Sequence, residues 1–390
     1  MGTAAATHAS RWAGSRSISA EMTITQLRLI DQPVNSTFGV QESYAPPMRA
    51  AVITGLQQVE IREVVVPTPT ADGVVVDISR CGICGTDIHA FQNGHPYNPA
   101  ICGHEWVGTV SARGADVKLH SEGDRVVVAV PPACGRCTAC VAGQPRYCSA
   151  VFLAATGRDV RDPQHGGFAP QLAVKANRVV AAHPGLDDDE AAQVEPATVT
   201  FHAVRASLLR LGDVAVVQGA GPIGLLTMQW VKAFGAGQVI VIEPNDERRA
   251  LALSLGASVA VAPGDEASAI IREHTKGLGA DIVFECVGRA FAVQGAVDNA
   301  RRGGAVCLIG FPDTDATISP ATWLVKEISL TASLAYTHEE FALTQQFIAD
   351  GRVKVAPMHS STVSLEGLAD ALADLASGTS TQTKVLVDPR

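Results

Sequence analysis

The feature that most constrains this chain is a short run that changes character twice. Residues 214–217 are unbroken apolar sequence, Gly219-Ala220-Gly221-Pro222-Ile223-Gly224 follows, and then Ile223, Leu226, Thr227, Trp230, Val231 and Phe234 recur at helical spacing. A buried strand, a glycine turn and an amphipathic helix in that order open a βαβ unit. The first glycine permits the tight bend, the second lets backbone approach a pyrophosphate, and the third lets helix pack on strand. The helix N-terminus, with Pro222 and Ile223 in its first turn, offers free N–H groups and the positive end of its dipole to phosphates. Glycines alone mark many turns, and the flanking strand and helix are what make this a dinucleotide site.

Strand and helix continue to alternate, with strands at 239–242, 282–284, 306–309 and 328–330. This is the pattern of a parallel, doubly wound sheet. Glu243 closes the second strand, nineteen residues after Gly224. A carboxylate there accepts hydrogen bonds from the adenine ribose and repels a 2′-phosphate, so NAD is expected over NADP. Arg248 is placed to contact the ribose or, alternatively, a phosphate. The alternative is a solvated strand-end Glu beside an Arg at a helix start.

Before residue 195 the rhythm differs. Short strands at 50–53, 59–64, 73–78, 106–110 and 124–128, broken by Pro and Gly, make a compact β-rich, barrel-like domain. A helix at 339–350 and a strand at 383–387 close the chain. The expected division is an extension at 1–47, a β-rich domain at 48–195, a dinucleotide domain at 196–338 and a C-terminal return at 339–390. Residues 1–20 hold no acidic residue and have an organellar presequence's composition. A flexible extension with a cytoplasmic location is the plainer expectation. The uncharged run 214–231 is as long as a membrane span, but Gln218, Pro222 and three glycines interrupt it. With 18% charged residues and a net charge of −9, neither a nucleic acid nor a membrane is expected as a partner.

Nine cysteines are present, and Cys134, Cys137, Cys140 and Cys148 crowd into C-x2-C-x2-C-x7-C. Four thiolates on one loop close tetrahedrally around a structural zinc. The rival iron–sulfur reading wants a shorter last spacing and a following proline, and Ser149 follows here. A secreted disulfide scaffold would be shorter and more evenly stapled. A second constellation comprises Cys81-Gly82-Ile83-Cys84-Gly85-Thr86-Asp87-Ile88-His89, then Gly103-His104-Glu105, then Glu195-Pro196-Ala197-Thr198. A catalytic zinc takes about three protein ligands and keeps one position open. Cys84, His104 and a carboxylate, Glu105 or Glu195, supply them. A thioredoxin-like role for the Cys81–Cys84 pair would leave His104 and Glu105 without a task.

These motifs resemble the zinc-containing medium-chain alcohol dehydrogenases over residues 48–390. The specific segments are GICGTD at 82–87, GHE at 103–105, GDRV at 123–126, the cysteine loop and GAGPIG at 219–224. The resemblance implies an α/β chain: a GroES-like β-rich catalytic domain holding both zincs and a Rossmann domain, with the site between them. It implies Cys84 and His104 as catalytic zinc ligands, Glu105 as a carboxylate that ligates or exchanges with water, and Glu195 at the third-ligand position. Glu-Pro at 195–196 resembles the polyol, butanediol and threonine dehydrogenase branches. Cys81 is then a packing residue and Asp87 holds the His104 ring. Thr86 begins a proton relay that His89 carries toward solvent, and Thr198 joins the cofactor site.

The reaction implied is hydride transfer between a secondary alcohol or polyol and NAD(P), the zinc polarising the oxygen. Phe91, His95, Tyr97, Phe152 and Tyr336 are candidates for a lining suited to a vicinal diol, polyol or hydroxylated aromatic substrate. Residues 326–331 resemble the family's edge strand, implying a homodimer or homotetramer. The rivals are a zinc-free reductase of conjugated carbonyls and a non-catalytic cofactor-binding relative.

Overall fold

The valine-rich, turn-broken first half folds into strands. In this computed structural model, residues 46–93, 99–159, 162–312 and 314–390 are described. The extension up to residue 45, together with His95 and Tyr97, lies outside them. β1 (Met48–Gly55) and β2 (Gln58–Val64) pair antiparallel. Leu56 and Gln57 join them at φ 45° and 63°, a turn whose twist matches its strands. β3 (Gly73–Gly82), β4 (Glu105–Arg113), β5 (Arg125–Val128), β6 (Gln171–Lys175) and β7 (Val179–Ala181) assemble on β3, which is antiparallel to both β4 and β6. Val74, Val76 and Ile78 of β3 join Val110, Val126, Val128 and Leu172 in one core.

The second half forms β8 (Val214–Gln218), β9 (Gln238–Ile242), β10 (Val259–Val261), β11 (Ala280–Glu285), β12 (Ala300–Leu308) and β13 (Ser329–Ala332). They run in the order β10-β9-β8-β11-β12-β13 with every pairing parallel. The order reverses between β8 and β11, so a crevice opens at the end of β8, where the glycine turn lies. The architecture is the α/β one expected. β14 (His359–Ser364) and β15 (Lys384–Asp388) return to the first sheet, and β15 pairs with β3 through Leu386↔Gly82 and Val387↔Cys81. Residues 45–390 form one compact unit.

One expectation about the helix Pro222–Ala233 needs correction. Its apolar residues do not make a single buried face: Leu225 and Met228 are as buried as Leu226 and Trp230, while Phe234 is 40% exposed. The helix lies between the parallel sheet and the helix Val194–Ala206, so it is covered from two sides. Trp230 fixes that contact, meeting the Phe201 ring edge-on at 5.0 Å and donating Nε1–H to the Ala197 carbonyl at 2.9 Å. Trp230→Ala should therefore lower stability by about 3–5 kcal/mol, read from chemical denaturation midpoints. Among the described residues no helix is long and apolar enough to cross a membrane; the uncharged run 214–231 is strand, turn and helix.

Candidate active site

Cys84 ends the turn after β3, and the helix Gly85–Asn93 follows it. Asp87, fully buried, accepts the Cys84 N–H at 2.8 Å and the Gly103 N–H at 3.1 Å. One carboxylate thus ties together the two backbone segments that carry Cys84 and His104. This corrects the expectation that Asp87 holds the His104 ring. The ring's Nδ1 bonds the Ile101 carbonyl at 2.8 Å instead, which sets the tautomer and leaves Nε2 as the donor atom. Burial raises the Asp87 carboxyl to about 6, against the pull of His104 and the two N–H donors. Cys81 is fully buried in the β3 core. A Cβ on Gly103, at φ +65°, would sit 2.9 Å from its sulfur, so packing is its role.

The donor atoms of Cys84, His104 and Glu105 lie within 4.8 Å of one another. Zinc with bonds of about 2.0–2.3 Å to such atoms holds its donors roughly 3.5–4 Å apart, so the trio fits the ion. The field fits as well. Burial disfavours a charged His104 ring, yet Cys84, Glu195 and Asp87 beside it raise its pKa well above the ordinary value. Glu195 stands beside the trio, in the first turn of the helix Val194–Ala206. Burial raises it to about 7, with His104 and the nearby Tyr336 hydroxyl pulling the other way. Thr86 places its hydroxyl 3.6 Å from the Cys84 sulfur. His89 lies one turn further along the helix, its ring 6.5 Å from that of Phe311.

Sequence reasoning missed Lys384. It is buried beside Glu105, forms an ion pair with that carboxylate, and donates to the Ile83 carbonyl at 3.0 Å. A Cβ on Gly82 would lie 2.8 Å from Lys384 Cε and 2.9 Å from its Nζ, so the glycine of GICGTD makes room for this pair. Of the expected lining residues, Phe91 is a core residue at 4% exposure, a correction, and Phe152 is 49% exposed. Tyr336 is on the site. It also borders a cleft of about 550 Å³ shared with Arg146, Tyr147 and Glu339.

Cys134, Cys137, Cys140 and Cys148 converge within 4.8 Å, with positive-φ glycines Gly135 and Gly143 turning the loop. Cys134 N–H points at the Cys148 sulfur (3.3 Å) and Cys137 N–H at that of Cys134 (3.4 Å). Backbone N–H groups of Cys140 and Ser149 lower the Cys137 thiol to about 6, the thiolate form a metal needs. Burial and its neighbours push Cys140 up to about 12.

The glycine turn fits a dinucleotide. Gly219 has φ +90°, a Cβ on Gly224 would collide with the Gly219 carbonyl, and the space beside Gly221 is open. Gly221 caps the helix that Pro222 and Ile223 begin. Glu243, 5% exposed, accepts the Ala220 N–H at 2.7 Å and the Asn245 N–H at 3.0 Å. Arg248 is a correction: its guanidinium donates to the Ser380 and Gln382 carbonyls at 2.9 and 2.7 Å, docking the segment before β15 rather than facing the turn. Thr198 is fully buried, and its hydroxyl donates to the Val194 carbonyl at 2.7 Å.

Residues 70–184 match the alcohol dehydrogenase GroES-like domain family and residues 222–350 the zinc-binding dehydrogenase family. A sorbitol dehydrogenase of Bacillus subtilis is 31% identical over 332 residues, 83% of this chain and 92% of that protein. A 2-dehydro-3-deoxy-L-galactonate 5-dehydrogenase of Pseudoalteromonas atlantica is 33% identical over 84% of this chain and 95% of its own. The NADP-bound structure of a zinc-binding dehydrogenase from Sinorhizobium meliloti superposes with a TM-score of 0.77 at 30% identity, covering 88% of this chain and all of that one. The chain belongs to the zinc-containing medium-chain dehydrogenase family. It is an NAD(P)-dependent alcohol dehydrogenase.

Proposed function

We propose that this enzyme oxidises a secondary hydroxyl of a vicinal diol or polyol to the ketone with NAD+, and that it binds two zinc ions per chain. The carrying observation is the convergence of Cys84, His104 and Glu105 beside the Glu195–Tyr336 pair. Cys84 and His104 would hold the catalytic ion together with a carboxylate, and the four-cysteine loop would hold the structural one. A bound zinc supplies Lewis acidity to the alcohol oxygen and the nicotinamide accepts the hydride. The chain's own groups do the rest. Thr86, beside the Cys84 sulfur, takes the hydroxyl proton, and His89, a turn away, passes it outward. The two relatives act, by name, on a polyol and on a sugar-derived acid, which supports a polyhydroxylated substrate.

The test is NAD+ reduction by zinc-loaded protein across monoalcohols, vicinal diols, polyols, threonine and benzylic alcohols. Turnover of diols or polyols supports the proposal. Silence across the panel with zinc bound, or reduction of conjugated carbonyls alone, overturns it. The Glu243 carboxylate at the turn supports NAD as cofactor: Glu243→Gln keeps an acceptor for Ala220 N–H but removes the charge. The ratio of kcat/KM for NADP+ over NAD+ should rise on the order of tenfold, about 1.4 kcal/mol.

We further propose a homodimer through β13. This strand lies at the edge of the parallel sheet, and Leu324, Val325, Leu330 and Leu334 around it are 45–78% exposed, an edge with no strand partner among the described residues and with apolar cover. Leu330→Lys should shift the sedimenting species to monomer; an unchanged mass would refute this.

A further inference from the structure

We infer that Asp162 and Arg178 form a hydroxyl-binding subsite beside the reaction centre, one that selects a neutral polyhydroxylated substrate over a carboxylated or phosphorylated one. The inference deepens, and rests on, the polyol reading above.

The two side chains share a cavity of about 20 Å³ with His104, Trp106 and Leu172. Its walls come together because glycines permit it. A Cβ on Gly166 would collide with the Cys102 carbonyl, and one on Gly167 would lie 2.6 Å from the Trp106 ring. The segment after Asp162 therefore runs directly against the loop that carries His104. Arg178 ends the short 3-10 turn Ala176–Arg178 between β6 and β7 and lines the same cavity.

The pair is incompletely satisfied. Arg178 Nη1 and Asp162 Oδ1 are 3.5 Å apart, with side chains 18% and 12% exposed, a long contact for so buried an ion pair. Arg178 Nε and Asp162 Oδ2 are buried and have no hydrogen-bond partner among the described residues. Native proteins rarely leave such atoms orphaned, and each one asks for an unseen partner. Here one orphan is a donor and the other an acceptor.

A hydroxyl is the group that serves both, accepting from Nε and donating to Oδ2. A cavity of about 20 Å³ holds one water-sized group. A carboxylate or phosphate is too large for it and has no proton to give to Oδ2, and the Asp162 charge repels it. The neighbouring Lys175–Asp159 pair at 3.1 Å leaves the four side chains with no net charge to draw an anion. His104 lines this cavity and also supplies a donor atom to the metal trio. A hydroxyl in the cavity thus belongs to a carbon near the reacting one, as in a vicinal diol.

The experiment compares 2,3-butanediol with 2-butanol on the zinc-loaded full chain with NAD+, for wild type, Arg178→Lys and Asp162→Asn. Lysine keeps the charge but has no Nε donor, and asparagine keeps the shape but loses the anionic acceptor. Dissociation constants of both alcohols for the enzyme–NAD+ complex and thermal midpoints accompany the kinetics. The expected result is a wild-type preference for the diol. Each variant should lower kcat/KM and affinity for the diol about 10- to 100-fold and leave 2-butanol within about twofold at temperatures below the variant's own midpoint. Equal losses on both alcohols would make the pair structural and overturn the inference. So would an intact diol preference, which means the cavity holds only water, or faster turnover of a sugar acid than of the parent polyol. Wild type inactive on both alcohols overturns the polyol reading itself, a failure distinct from these.

Discussion

Cys84→Ser should lower kcat/KM by on the order of 10³-fold or more while leaving the fold intact. A serine hydroxyl is not deprotonated near neutral pH, so the site loses an anionic ligand from the Cys84–His104–Glu105 trio. A metal's stabilisation of developing charge on the substrate oxygen is worth several kcal/mol, and each 1.36 kcal/mol is a factor of ten in rate. Cys84 is only partly buried and lies outside the apolar cores, so the substitution opens no large cavity. Bound metal should fall from about two to about one per chain, because the four-cysteine loop is a separate cluster. Circular dichroism and metal analysis on the same sample distinguish a lost ligand from a lost fold. Full activity in the serine variant would remove Cys84 from the machinery.

Lys384→Met should be the most destabilising single change near the site. Removing the ammonium leaves the buried Glu105 carboxylate without its counter-ion, a situation that costs about 3–5 kcal/mol. The Ile83 carbonyl loses its donor as well. The loss should be visible in chemical denaturation. It should be largely recovered in the double variant with Glu105→Gln, because the two residues form one pair and their effects are not additive. Equal losses in the single and double variants would mean that Lys384 acts through packing alone.

How much of this could be read from the chain depended on how local each feature is. The glycine turn, the cysteine loop and the Cys84–His104–Glu105 set are short patterns whose geometry follows from spacing and a turn or two of backbone. Lys384 was invisible because its partner is 279 residues away and they meet only when β15 lies along β3. Arg248 was misjudged for the same reason. A guanidinium at that position reaches a ribose or a loop equally well, and only the docking of residues 380–382 decides. Asp87 was placed in the right centre with the wrong bond, since a buried carboxylate between two N–H donors and a ring takes whichever the turn at Gly103 presents. The two-sided burial of the helix Pro222–Ala233 likewise depended on the helix Val194–Ala206, which no periodicity within residues 222–234 encodes.

Hydride transfer between a secondary hydroxyl and NAD should depend on metal held by Cys84, His104 and an adjacent carboxylate. The most direct measurement is NADH formation from a vicinal diol, followed while bound zinc is stripped by chelation and then restored. About two zinc ions per chain are expected at the outset, with activity that falls with loss of one of them and recovers on zinc addition in wild type but not in Cys84→Ser. Undiminished NADH formation by protein with only the cysteine-loop metal left would contradict it.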